Sequence, residues 1–227
     1  MKIGILQTGH TPDAMLPDAP DYDQLFVKLL DGHDFEFLTF PVVEEVFPDG
    51  PEVCDGWLIT GSRYGTYEDH PWIPPLEQLI RDIYASDRPL VGVCFGHQII
   101  AQALGGKSGK FEGGWAVGRQ EYQWGLDTIA LNAWHRDQVS HPPEDAEVVA
   151  SNAFCENAAL LYGRRAFTVQ PHPEFNSAFV QGLLETRAKG LVPDDLQERA
   201  RKSLTMPVDR KRVADMMALF LKEKRIA

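Results

Sequence analysis

The 227 residues carry 22 Lys and Arg against 33 Asp and Glu, a net charge of −11. Phosphate binding needs basic residues in excess, so this balance argues against a nucleic-acid partner. Hydrophobic residues make up 44% of the chain, enough apolar surface to offset the ordering entropy and exclude a disordered protein, and no apolar run approaches the ~20 residues that span a bilayer. Cys54, Cys94 and Cys155 are an odd and sparse set that implies no disulfide framework. A cytoplasmic setting is therefore expected, and any of the three could be a working thiol.

In chain order, Lys2–Gln7 reads as a first strand bounded by Thr8-Gly9. Leu25, Phe26, Leu29 and Leu30 fall at helical spacing around 22–30. Phe35–Phe40 is strand-like and stops at Pro41, and Trp57–Thr60 is a short apolar run ending at Gly61. Leu76, Leu79, Ile80, Ile83 and Tyr84 form an i, i+3, i+4, i+7, i+8 stripe, a helix with Pro74-Pro75 at its start. Leu90–Val93 is another apolar run, followed by a helix over Gln98–Leu104 that ends at Gly105-Gly106. This alternation predicts an α/β fold, a mostly parallel central sheet with helices on both faces. The stretches Arg119–Tyr122 and Asp127–Leu131, separated by turn residues, predict a small antiparallel extension of the sheet. Glu147–Ala150, Ala158–Leu161 and Ala166–Gln170 read as further strands.

Ser177–Ala188 reads as a helix with Phe179, Val180, Leu183 and Leu184 inward, and Leu191–Ser203 as a short polar helix packed outside. Pro207–Lys222 reads as a helix with Pro207 in its first turn and an apolar stripe of Val213, Met216, Met217, Phe220 and Leu221. The Met216-Met217 pair fits core packing or a homodimer contact. Arg199–Lys202 and Arg210–Arg212 read as solvated faces. No linker or repeat interrupts the chain, so one domain over 1–227, with a helical segment over about 190–227, is expected.

The chemistry is most legible in Leu90-Val91-Gly92-Val93-Cys94-Phe95-Gly96-His97-Gln98. A strand runs into Gly-x-Cys-x-Gly and then a helix, the cysteine form of a nucleophile elbow. Gly92 and Gly96 leave room for a strained turn that holds the non-glycine residue in an unusual conformation. The helix aims free N–H groups and its positive dipole end at the turn, which favours a thiolate and an oxyanion. A buried structural cysteine is the plainer alternative. The second stretch is Gln170-Pro171-His172-Pro173-Glu174. Its prolines forbid a helix, and i and i+2 of an extended chain share a face. A carboxylate beside an imidazole fixes its tautomer and stabilises the imidazolium, so His172 and Glu174 fit the base and orienter of a Cys-His-Glu triad. Cys94 and His97 have metal-like spacing, but no second pair exists and the elbow already uses Cys94, so neither metal nor cofactor is expected. Cys54 and Cys155 read as inert, and His10, His33, His70 and His141 as solvated loop residues.

Gly92-Val-Cys94-Phe-Gly96-His97-Gln98 together with Gln170-Pro-His172-Pro-Glu174 resembles the triad-type class I glutamine amidotransferase family. The resemblance implies a flavodoxin-like fold, with Cys94 as nucleophile, His172 as general base then acid, and Glu174 as orienter. It implies oxyanion donors at the backbone N–H of Phe95 and of Gly61, in Ile59-Thr60-Gly61-Ser62. Gln98 matches a residue lining the family's substrate pocket. Trp134-His135, followed by Asp137-Gln138-Val139, resembles the segment touching the substrate's α-amino and carboxylate groups. In the guanylate synthetase branch a small Ser precedes that His, where Trp134 stands here.

The implied reaction cleaves the γ-amide of glutamine to glutamate and ammonia through a γ-glutamyl thioester. Family members normally feed ammonia to a synthetase partner. No synthetase segment is visible here: Lys107-Ser108 mimics the end of a P-loop, but Ala101 stands where its first Gly is required. The reading is a free-standing member, and Pro71-Trp72-Ile73 after Ile-Thr-Gly-Ser resembles γ-glutamyl peptidases as much as ammonia-donor subunits. The substrate is then glutamine or another γ-glutamyl compound. The loop Arg63–Trp72 either covers the pocket or is plain surface. A non-catalytic regulatory or scaffold protein is the remaining alternative.

Overall fold

A computed structural model describes residues 1–227. Five parallel strands run from one edge into the middle of a seven-stranded sheet: β1 (Lys2–Leu6), β2 (Glu36–Phe40), β3 (Gly56–Ile59), β4 (Leu90–Val93) and β11 (Ala166–Val169), in the order β2-β1-β3-β4-β11. This is the flavodoxin-like strand order, whose direction of winding reverses between β1 and β3. Antiparallel strands β10 (Ala159–Tyr162) and β9 (Glu147–Ala150) complete one edge.

Strands β1, β3, β4 and β11 read as near-continuous apolar runs because both faces are covered. Helices α2 (Ile73–Ala85) and α3 (Phe95–Ala103) bury Leu76, Ile80, Ile83, Ile99 and Ile100 against one face. Helices α1 (Tyr22–Leu29) and α6 (Arg210–Glu223) bury Phe26, Val213, Met217 and Phe220 against the other. Pro74 and Pro75 stand in the first turn of α2, where the missing N–H costs nothing.

The predicted antiparallel region takes a different form. Besides β9 and β10, two separate pairs lie off the main sheet. One joins β6 (Ala116–Trp124) to β7 (Asp127–His135); the other joins β5 (Lys107–Lys110) to β8 (Asp137–His141). The polar sequence Lys-Ser-Gly-Lys of β5 gave no alternating signal, and its pairing with β8 is set by packing beside α3. Helix α4 (Ser177–Thr186) buries the four residues expected, Phe179, Val180, Leu183 and Leu184. Helix α5 (Asp194–Ser203) rests on β6 through Ala200, which meets Gly118 where no Cβ intervenes.

The last helix starts later than Pro207 predicts. Asp209 first docks on β7, its N–H donating to Ala130 O (2.7 Å) and its carboxylate accepting from Ala130 N–H (2.7 Å), and the helix begins at Arg210. No helix is long and apolar enough to cross a membrane.

Candidate active site

Cys94 sits between β4 and α3, beyond the carboxyl end of a central strand, where doubly wound sheets bind ligands. Its φ of 52° and ψ of −103° lie outside the ordinary wells for an L-residue. Tight packing enforces the turn. A Cβ on Gly96 would stand 2.3 Å from Ile59 O, and one on Gly92 would stand 2.6 Å from Gly96 O. Both glycines are thus required by close approach of backbone to backbone. The Cys94 N–H donates to Val169 O (2.9 Å) and the Gly96 N–H to Thr60 O (3.1 Å), which ties the elbow to both neighbouring strand ends. Helix α3 starts at Phe95, so its N-terminal end lies at the turn that carries the thiol.

His172 comes from the segment following β11. Its N–H donates to Asn132 O (2.8 Å), bridging the segment to β7. The ring lies flat on Phe175, centroids 4.0 Å apart and planes within 2°. Nδ1 is 2.6 Å from Glu174 Oε1, and both side chains are buried. The i, i+2 pairing is therefore met, but through a turn at 173–174 rather than an extended chain. Burial opposes charge on His172, yet the Glu174 carboxylate and the Cys94 sulfur lift its pKa to about 10. Gly61 closes the space above this pair: a Cβ there would meet His172 Cε1 at 3.1 Å and Cys94 Cβ at 3.7 Å. The Gly61 N–H has no acceptor within the protein.

A cavity of about 320 Å³ opens over Cys94 and His172. Of the other residues singled out in the sequence, Gln98, Trp134 and His135 line it. The Gln98 amide donates to Asp137 O (2.9 Å) and Gln170 Oε1 (3.0 Å), which fixes its orientation. His135 Nδ1 lies 3.2 Å from Asp137 O, and burial pushes the imidazole down to about 3, so it is neutral. Trp134 meets Trp115 edge to face (6.5 Å) and forms an apolar wall. Burial raises the Asp137 carboxyl above the usual range despite Tyr67, Lys110 and Arg136 around it. His97 faces away from the thiol, its Nδ1 2.8 Å from Thr168 Oγ1.

The loop after Gly61 is part of the site. Arg63, Tyr64 and Tyr67 line the cavity, and Tyr64 is held by His70 (4.3 Å) in a row that continues through Trp72 to Phe95. His70 is thus packed, and His10 pairs with Asp21 (2.7 Å), so neither is simply solvated. Three further residues escaped the sequence reading. Tyr22 and Arg187 enter the cavity from α1 and the end of α4. Arg210, expected on a solvated face, is half-buried and donates to Pro173 O (2.7 Å) and Glu174 O (3.0 Å). None belongs to a local motif; only the topology brings them here. Cys54 and Cys155 are buried away from the cavity, and burial pushes the Cys155 thiol up to about 12.

Comparison with known proteins bears on the family and the fold. Residues 51–182 match the model of the family described as glutamine amidotransferase class-I. A Saccharomyces cerevisiae protein assigned to the glutamine amidotransferases is 33% identical over 215 residues, covering 83% of this chain and 84% of the relative. Gamma-glutamyl peptidase 2 of Arabidopsis thaliana is 26% identical over 220 residues, 90% of this chain and 89% of that one. In three dimensions, a glutamine amidotransferase from Methylobacillus flagellatus superposes with a TM-score of 0.75 at 22% identity, over 99% of this chain and 92% of that one, which speaks to the fold. The chain belongs to the class I glutamine amidotransferase family, and so to the hydrolases that act on C–N bonds.

Proposed function

We propose that this protein hydrolyses γ-glutamyl amides by a Cys94–His172–Glu174 mechanism, glutamine being the smallest such substrate. The observation that carries the reading is the buried His172 ring, hydrogen-bonded to Glu174 through Nδ1 and gathered with Cys94 around Gly61, whose N–H has no protein acceptor. The Cys94 sulfur attacks the γ-carbonyl carbon. The resulting oxyanion takes hydrogen bonds from the N–H groups of Gly61 and Phe95, each worth about 3 kcal/mol in such sites. His172 gives its proton to the leaving nitrogen, the C–N bond breaks and a γ-glutamyl thioester remains. Water then loses a proton to His172 and adds to the thioester carbon. The C–S bond breaks, glutamate leaves and the proton returns to the sulfur. Gln98 and His135, with the Asp137 carboxylate beyond them, form the polar wall suited to the zwitterionic end of the glutamyl group.

A second reading, γ-glutamyl conjugates in place of glutamine, is favoured by the reach of the cavity past Cys94 to Trp115, Trp134 and Arg187. A synthetase partner remains the alternative destiny for released ammonia, and it requires glutamine hydrolysis to rise when that partner is added. The decisive experiment is intact-mass detection of a glutamyl adduct after incubation with glutamine and with γ-glutamyl dipeptides. The adduct is expected on Cys94 and absent from Cys94→Ala; labelling of Cys54 or Cys155, or no adduct with any γ-glutamyl compound, would overturn the assignment.

A further inference from the structure

The catalytic cavity does not end at the nucleophile. A second cavity of about 370 Å³ adjoins it and shares Arg63, Tyr64 and Arg187 as its wall. Its far side is Gly9–Asp13, after β1, and Val43, after β2. It thus lies beyond the carboxyl end of β1, next to β3, where the sheet reverses its winding and ligands bind in folds of this order. That far side is pre-built. Asp21 Oδ1 accepts from the Thr11 N–H (2.8 Å), and Asp21 Oδ2 lies 2.7 Å from His10 Nδ1.

Arg187 is a cationic member of the shared wall. Its backbone N–H closes α4 by donating to Leu183 O (2.8 Å). The residue is half-buried, and its guanidinium donates no hydrogen bond and has no carboxylate within 4.0 Å. A guanidinium offers five donors in a planar fork that matches a carboxylate. Arg63 stands beside it, without an acidic partner, held over the Tyr64 ring (4.8 Å) with Nη2 2.6 Å from the Tyr64 hydroxyl. Tyr22 lines the catalytic cavity together with Arg187 and Cys94. Gln98, His135 and Asp137, the last with Lys110 and Arg136 around it, line the same cavity.

We propose that Arg187, supported by Arg63, receives a carboxylate carried by the leaving amine, so that the substrate class is γ-glutamyl amino acids or peptides. This rests on the γ-glutamyl hydrolase reading above. The glutamyl ammonium end faces Asp137, the scissile amide lies over Cys94, and the amino-acid carboxylate reaches Arg187. Glutamine fills only the first two of these positions.

The test is a matched pair of substrates differing in that one charge, γ-glutamylglycine and γ-glutamylglycinamide, assayed for release of the amine. The wild-type enzyme is expected to favour the acid in kcat/KM by about tenfold, the scale of one charge-assisted contact. Arg187→Gln should erase that ratio, mainly through KM for the acid, and Arg187→Lys should restore part of it. A wild-type ratio near one, or an Arg187→Gln loss equal for both substrates, overturns the proposal while leaving the hydrolase reading intact. If the variants do not fold, the wild-type ratio still decides: it must fall as NaCl is raised, and a ratio indifferent to salt counts against a charge receptor. Absence of any Cys94 adduct with either substrate instead removes the hydrolase reading itself, and the proposal with it.

Discussion

Glu174 is buried at the end of a turn with one oxygen on His172 and the other without a partner, so its influence is concentrated on a single imidazole nitrogen. Glu174→Gln keeps the shape and removes the charge. We expect kcat to fall by about 10³–10⁴-fold, as when the orienting carboxylate of comparable triads is neutralised, while the fold persists. Because Glu174 is the main group raising the His172 pKa, that variant should also bring the imidazole pKa down. An NMR titration of His172 that does not move downward would refute this account. Gly61→Ala addresses the same pair from above. Its methyl would press on His172 Cε1 at 3.1 Å, so turnover should drop while thermal stability changes little. The residues of this cluster were legible in the sequence because elbow and His-Pro-Glu are short local patterns. Arg187 and Tyr22 were not, because nothing within ten residues of either marks it, and their roles arise only from the fold.

At the scale of elements, two contacts hold the site in place. The elbow depends on α3 packing directly on β3, and Gly96→Ala would drive a Cβ to 2.3 Å from Ile59 O. No rotamer relieves a clash with backbone, so we expect a loss of about 3 kcal/mol or more, read as a lower urea midpoint. The second contact is the Arg210 clamp, through which α6 braces the Pro173-Glu174 turn. Arg210→Gln should cost about 1.5–3 kcal/mol for the lost charge-assisted bonds and slow turnover as the turn loosens; unchanged urea midpoint and kcat would show the clamp to be idle. Strands β1 to β4 were readable as short apolar runs between turn residues, and α2 and α4 as stripes at helical spacing. Strands β6 and β7 were readable only in fragments, and β5 and β8 not at all. Polar residues on their solvent sides blur the alternation, and partner choice is a long-range matter that local pattern does not encode.

For the whole molecule, the buried histidines set the pH window of stability. His97 and His135 have folded pKa values of about 3, held down first by burial, against an ordinary 6.5. Their neutral burial is fully compatible with folding above pH 6.5, and stability is lost as pH falls below it, by about 1.4 kcal/mol per group per pH unit. His172 acts in the opposite sense: its contribution is complete below pH 6.5 and disappears as pH rises through about 10. Urea midpoints measured from pH 8 to pH 4 should fall steeply on the acid side, and His97→Gln should flatten that fall; parallel curves would contradict it. A different consequence follows from the backbone of Cys94. Holding a side chain at φ 52° and ψ −103° stores roughly 1–3 kcal/mol that a residue without a Cβ would release. Cys94→Gly, chemically dead, should therefore melt a few degrees higher than the working protein, so that heat tolerance and turnover are set against each other at one position.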